Sequence, residues 1–371
     1  MRIPIKNIRR KGKVITHSFK TPKFRIVEDR KPTNDDIENS DRLLTAFRLT
    51  PNVHLKSDIW TRIGNSQSDF FEILNNGNAE QLAAYLCNMN RQSATTGTVQ
   101  GNREFVRLKR NFFYRRYIAR MAADKILLLA EAFGVIYLSN PEQTNHVKQN
   151  IDFKEVVSKI EKSIGMSITP PDIDGGLLKI EIGNAKFNER DCNAIYTAQL
   201  LKTYKSICEI GGGSGRVAYW AFRMGIQDYT IIDLPQINVV QGFYLMSALG
   251  GNSVQLFGES KSAPIKIIPN TSYNQMAVAS DYDVICNQDS FPEMSQEVAI
   301  EYLKWISTGK KNLISINHES QPRGIEGNQQ CRVGSLFSRI KGYELISRQQ
   351  YWLRRGYALE IWGPTLEQEL A

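Results

Sequence analysis

The sequence is short of histidine, of paired cysteines and of long apolar runs, and each shortage removes a class of protein. Its five cysteines (Cys87, Cys192, Cys208, Cys286, Cys331) are odd in number, scattered and never in a CxxC pair, so neither a disulfide framework nor a zinc site is expected. Stretches such as Ile126–Ala130 fall far short of the roughly 20 apolar residues that a bilayer-crossing helix needs. The N-terminus is basic, but no apolar core follows it, so it does not read as a secretion signal, and a soluble, cytoplasmic protein is expected. Internal repeats and low-complexity tracts are also missing. Of the four histidines, His17, His54 and His146 fall in the first 150 residues, and His318 stands alone in the remainder.

What is present is a globular composition, 42% hydrophobic with 10% aromatics, in a chain of 371 residues, longer than one core usually supports. Two folded units are therefore expected. The net charge of +9 sits in one place: residues 1–31 hold eleven Lys or Arg against Glu28 and Asp29, which leaves the rest formally neutral. Such an arm either docks on an acidic surface or is simply a solvated, loose chain end. From Asp35 to Lys162 the pattern is helical. It is clearest over Glu104–Phe133, where Phe105, Leu108, Phe112, Ala119, Ala122, Ile126, Leu129 and Phe133 recur at helical spacing and Gly134 follows. Within it, Arg107–Arg120 interleaves basic residues with Phe113, Tyr114 and Tyr117. Nucleic-acid binders show this, but a solvated face with inward-packed aromatics is the simpler reading, and nucleic acid is not expected as a partner. Turn-rich residues 93–102 and the cluster Pro170, Pro171, Gly175, Gly176 break the chain. The division expected is a basic, flexible arm (1–34), a helical region (35–168) and an αβ domain (169–371).

In that last part, candidate strands at 206–210, 229–234, 253–257, 282–287 and 312–317 alternate with helices, including one over Glu189–Lys202 that leads into the first of them. Alternation of this kind argues for a mainly parallel sheet covered on both faces. A helix near 333–340 follows, then strands at 344–353 and 357–362 joined at Arg354–Gly356, a link so short that the two must be antiparallel neighbours. The fold class expected is α/β: a Rossmann-like, mostly parallel seven-stranded sheet that ends in an antiparallel hairpin, preceded by a mainly helical region.

The strongest local signal is Glu209-Ile-Gly-Gly-Gly-Ser-Gly215, which leaves an apolar strand and opens a helix. Glycines at 211, 213 and 215 let the backbone turn sharply and approach a ligand that a Cβ would repel. The overlapping stretch Gly213–Ala218 also fits GxGxxA, the dinucleotide fingerprint. Asp233 ends the next strand, 22 residues after Gly211, where a carboxylate can accept from two ribose hydroxyls of either cofactor. Context decides between them. Glu209 two residues ahead of the first glycine, the helical region in front and the closing hairpin together favour S-adenosyl-L-methionine.

On ICEIGGGSGRVAYW (207–220), YTIIDLPQINVVQGFYL (229–245), VQLFGES (254–260), CNQDSFPEM (286–294) and LISINHES (313–320), the chain resembles the sugar O-methyltransferases of bacterial polysaccharide and secondary-metabolite clusters. The resemblance covers about residues 165–365. It implies the class I methyltransferase fold, S-adenosyl-L-methionine as cofactor and methyl transfer to a hydroxyl of a sugar-containing acceptor. It also implies that Glu209, Gly211, Gly213 and Asp233 bind the cofactor while Gln288 and Asp289 border the methyl group. Gly215 and Leu234, next to these, are counted with the cofactor site.

Methyl transfer of this type is an in-line displacement that needs an aligned acceptor oxygen and a base for its proton. Ligands of such sheets lie beyond the carboxyl ends of the strands. Two of those ends are polar here, Asn287-Gln288-Asp289-Ser290 and Asn317-His318-Glu319. Ser290-Phe-Pro-Glu293 reads as a capping box that starts a helix. His318 is the candidate base, with Asp289 orienting the acceptor or the imidazole; a structural histidine is the alternative. Asp289, Glu293, His318 and Glu319 could instead hold Mg²⁺, but no spacing demands it and no metal is expected. Over Ile180–Tyr196, which precedes the first strand of the sheet and could cover the cofactor, Arg190 is the candidate for a carboxylate and Tyr196 for stacking or a hydroxyl. The plainer alternative is a surface ion pair and a core ring. Two other functions stay open, a dinucleotide-dependent oxidoreductase and a non-catalytic binding module docked through the basic arm.

Overall fold

The computed structural model describes residues 19–51, 59–138, 151–319 and 331–365. Three short strands, β1 (Lys23–Ile26), β2 (Leu178–Ile182) and β3 (Ala185–Phe187), form a small antiparallel sheet in that order. Lys23 lies opposite Glu181 and Ile26 opposite Leu178. Residues 1–18 of the expected arm, with His17, lie outside the described residues, as do His54 and His146. The part described is not a flexible tail: it supplies an edge strand.

Between β1 and β2 the described residues are mainly helical. Helix α1 (Asn34–Leu49) starts with a reciprocal box in which Thr33 Oγ1 accepts from the Asp36 N–H and Asp36 Oδ2 accepts from the Thr33 N–H. Arg30 then grips the buried Asp36 carboxylate with two donors, at 2.7 and 3.0 Å. Truncation of residues 1–31 therefore removes both β1 and a charge partner. We expect a loss on the order of 2 kcal/mol in chemical unfolding relative to the full chain. A chain without residues 1–31 that unfolds at the same denaturant concentration would show that the strand contributes nothing.

Helices α2 (Ile59–Asn65), α3 (Ser68–Asn76) and α4 (Ala79–Leu86) follow. The single helix expected over 104–133 is two, α5 (Gly101–Arg110) and α6 (Phe112–Ala132). The apolar spacing runs on unbroken, but Asn111 leaves the helical region (φ −126°, ψ 102°) and its side chain accepts from the Tyr114 N–H to cap α6. Arg115 reaches back to the Leu108 and Lys109 carbonyls, which α5 leaves open. Helix α7 (Phe153–Ile164) closes this layer.

Beyond β3 and α8 (Glu189–Leu201), the main sheet contains β4 (Ser206–Ile210), β5 (Asp228–Asp233), β6 (Val254–Gln255), β7 (Ile265–Pro269), β8 (Val284–Gln288), β9 (Asn312–His318), β10 (Tyr343–Gln350) and β11 (Tyr357–Pro364). Their order is β10-β11-β9-β8-β4-β5-β7-β6, eight strands where seven were expected. The difference lies on the β5 side. The segment expected as the third strand, 253–257, supplies only the two-residue edge β6, and the strand beside β5 is β7, which was not anticipated. All pairs from β9 to β6 are parallel, and β11 runs antiparallel between β9 and β10.

Helices cover both faces: α9 (Arg216–Arg223) and α10 (Pro235–Leu249) with the N-terminal helices on one side, α12 (Gln296–Thr308) and α13 (Val333–Phe337) on the other, and the short α11 (Tyr273–Met276) after β7. Strand periodicity sorts the side chains. Ile207 and Ile231 enter the core with the N-terminal layer, and their neighbours Cys208 and Ile232 enter the opposite one. Arg42 of α1 bonds Glu259 and the Gly251 and Val254 carbonyls, which fastens the helical layer to the sheet. A second fastening is a buried ionic group, in which Arg216 at the start of α9 pairs with Asp191 of α8 and, at 2.7 Å, with Asp174, while Lys179 of β2 meets Asp174 at 2.8 Å. The five cysteines are buried free thiols. No helix among the described residues is long and apolar enough to cross a membrane.

Candidate active site

A cavity of about 390 Å³ opens at the carboxyl ends of β4, β5, β8 and β9, with Trp60, Gly97 and Thr98 of the N-terminal layer on its wall. The turn from β4 into α9 builds one side. Gly211, Gly213 and Gly215 all have positive φ (77°, 58°, 77°). Only Gly213 suits close approach of a ligand, since a Cβ there would meet nothing within 4 Å. At Gly211 a Cβ would fall 2.1 Å from Ser290 Oγ, so this glycine answers to a neighbouring loop. Gly215 caps α9 against Leu245 and does not line the cavity.

Asp233 sits at the end of β5 on the cavity wall, with Leu234 beside it. Its Oδ2 accepts from the Gly213 N–H (3.1 Å) and Gln241 Nε2 (2.6 Å), and its Oδ1 from the Leu234 N–H (2.8 Å). Three protein donors thus already take most of the carboxylate's roughly four acceptor positions, which leaves room for one hydroxyl where two were expected. Burial pushes its pKa up to about 7 against those donors. Glu209 lines the same wall, fully buried, and accepts from the Tyr229 hydroxyl at 2.9 Å. Burial raises it to about 7 as well, with the charge of Asp233 adding to the effect.

The opposite side gathers the polar strand ends. Gln288 is fixed by Thr197, whose hydroxyl donates to Oε1 at 2.9 Å. Asp289 adopts φ +71°, a left-handed conformation that Asp tolerates better than most residues, and this turns its side chain into the cavity wall. There it pairs with Arg354, with Arg190 at 4.0 Å. His318 closes β9 and lines the cavity, its ring edge-on to Tyr357 at 5.7 Å.

Ser290 does not cap a helix. Its hydroxyl donates to the Ile210 carbonyl (3.0 Å) and accepts from Asn287, and a single 3₁₀ turn, Phe291–Glu293, follows. Ser295 caps α12 instead, through the Val298 N–H. Glu293, with no box to close, lines the cavity, where burial and then the charge of Asp289 push its carboxyl up to about 7.

Besides Gly215, two residues expected at the site lie elsewhere. Tyr196 is a buried ring between Phe133 and Tyr351, outside the cavity lining. Glu319 pairs with Arg348 and also does not line the cavity. Among the described residues no group of three or more His, Cys, Asp or Glu side chains is arranged to hold a metal ion.

Others were missed. Arg354 and Tyr357 come from the hairpin turn, and topology explains their presence: β11 runs antiparallel to β9, so its first residue, Tyr357, registers with the last of β9, His318. Asn270, just after β7, lines the cavity with its Oδ1 buried and lacking a partner.

A parallel sheet that reverses only at β11, next to β9, has the strand order of the Rossmann-like fold of class I methyltransferases. The dinucleotide fold runs 3-2-1-4-5-6 with all strands parallel. No protein-family model and no curated protein matches the chain. Solved structures align over about half of it. The PH0226 protein from Pyrococcus horikoshii OT3 is 10% identical (47% of this chain, 91% of that one, TM-score 0.37). The glycopeptide N-methyltransferase MtfA complexed with S-adenosyl-L-homocysteine is 12% identical (46% and 90%, TM-score 0.34). An O-methyltransferase family protein from Burkholderia thailandensis is 12% identical (48% and 60%, TM-score 0.32).

Proposed function

We propose that the chain is an S-adenosyl-L-methionine-dependent methyltransferase that methylates a hydroxyl of a sugar-containing acceptor. The observation that carries the cofactor class is the reversed β11 beside β9, which a dinucleotide-binding sheet lacks. The cavity suits such a cofactor. The open flank of Gly213 admits a close ligand, Asp233 faces the ribose position, and Asn270 offers an unpaired acceptor to an adenine amine. When bound, the cofactor supplies an activated methyl group. The acceptor end is Arg190, Asp289, Glu293, His318, Arg354 and Tyr357, a polar and aromatic rim fitted to a molecule rich in hydroxyls. The sugar itself rests on the sequence resemblance. In this reading His318 takes the proton of the acceptor oxygen. Asp289, held by Arg354, accepts from a neighbouring hydroxyl and fixes the acceptor in line.

Calorimetric titration with S-adenosyl-L-homocysteine and with NAD tests the class directly. The first should bind and the second should not. Asp233→Ala should weaken the former by about 1–3 kcal/mol, the scale for leaving polar partners unpaired. Because the Asp233 carboxyl ionises only near pH 7 and a ribose hydroxyl donates to the ionised form, affinity should fall as pH drops below about 7. Unchanged affinity in a folded Asp233→Ala variant removes the residue from the site.

A further inference from the structure

The corner where α5 meets α6 lies outside the cavity lining and carries a different kind of chemistry. Residues 101–123 hold seven Lys or Arg against one acid, Glu104. Glu104 is already engaged, by the Tyr114 hydroxyl at 2.6 Å and by Arg107. Among the described residues Lys109, Arg110 and Arg116 form no ion pair, and all three are exposed. In the midst of this charge, Phe113 is 81% exposed, Phe112 52% and Val106 42%. Burying such side chains is worth roughly 1.5–3 kcal/mol each, so leaving three in water at one corner is unusual. Residues 1–18 cannot neutralise the patch, because they carry six Lys or Arg and no acid.

We infer that this corner docks on an anionic lipid surface, with Phe113, Phe112 and Val106 entering the acyl boundary and Lys109, Arg110 and Arg116 contacting head groups. Exposed apolar side chains ringed by cations are how a helical element lies in a bilayer interface. A nucleic acid would need flat rings on which bases can stack. Phe112 and Phe113 meet at 73°, which gives no platform, and Arg107 covers the Tyr114 ring at 3.7 Å. The inference does not depend on the methyl-transfer reading, since no residue of the cavity takes part.

Sedimentation of the full chain with vesicles separates the possibilities. Binding is expected to phosphatidylcholine vesicles containing about one-third phosphatidylglycerol, and not to phosphatidylcholine alone. Lys109→Glu with Arg110→Glu, and separately Phe113→Ser, should each weaken it at least about tenfold without changing affinity for S-adenosyl-L-homocysteine. Phe113→Trp should show a blue-shifted emission on the anionic vesicles and none with soluble polyphosphate. Absence of vesicle binding, equal binding by both surface variants, or an emission that shifts only with single-stranded RNA overturns the inference; the last outcome would assign the corner to nucleic acid.

Discussion

His318→Ala should lower turnover by roughly 10² to 10⁴, the range for loss of a general base, and leave affinity for S-adenosyl-L-homocysteine nearly unchanged. A sugar hydroxyl is a very weak acid, and imidazole is a base suited to neutral pH. The ring lies at the carboxyl end of β9, on the same cavity as Asp233 and Gly213. The structure also names the competitor. The Asp289 carboxylate is engaged by Arg354, whereas Glu293 lines the cavity with its carboxyl raised to about 7. Were Glu293 the base, turnover would rise with pH through about 7 as its carboxylate forms, and Glu293→Gln would abolish that rise. Single-turnover rates of the two variants across pH decide the matter: near-normal turnover in His318→Ala would sink the histidine assignment.

Arg216→Met should destabilise the fold by about 3–5 kcal/mol, the scale for stripping one partner from a buried ionic group. Two carboxylates, Asp174 and Asp191, would be left in the interior with only Lys179 nearby. Burial alone would raise the Asp174 pKa, but Arg216 and Lys179 outweigh it and hold it below the ordinary range. The sign follows. That carboxylate contributes stability in full above the unfolded value and loses it as pH falls through the lowered one, so the wild type should keep its advantage over Arg216→Met at neutral pH and lose part of it in acid. Chemical unfolding of both proteins at two pH values tests this. A variant as stable as the wild type at pH 7 would mean that the ionic group is only a neutral replacement for apolar packing.

Much of the sheet was legible because its signals are local. The glycine turn after β4, Asp233 at the end of β5, the polar ends of β8 and β9 and the hairpin each follow from a few adjacent residues. The third strand was misplaced for the same reason. Both Val254–Leu256 and Ile265–Pro269 are short apolar runs, and periodicity over so few residues cannot say which one takes the inner position. The helix break at Asn111 was hidden by an apolar pattern that runs straight across it. Tyr196 looked available because a tyrosine carries a polar tip, yet its ring packs in the core. Ser290 kept its capping signature and spent its hydroxyl on the Ile210 carbonyl, a contact 80 residues away in sequence. Arg354 and Tyr357 could have been found: an antiparallel strand beside β9 must begin where β9 ends, so the hairpin turn has to reach the cavity.

The pairing of β1 with β2 and the grip of Arg42 on Glu259 also bear on how the chain comes into being. Arg42 leaves the ribosome 217 residues ahead of its partner, on the order of ten to forty seconds earlier at usual synthesis rates. Until then α1 has no sheet to lie on, and the apolar face carrying Leu43 and Leu44 stays uncovered. Helices in the N-terminal third are thus synthesised well before the elements they pack on, so the first part of the polypeptide reaches its native packing only after the middle of the chain has emerged.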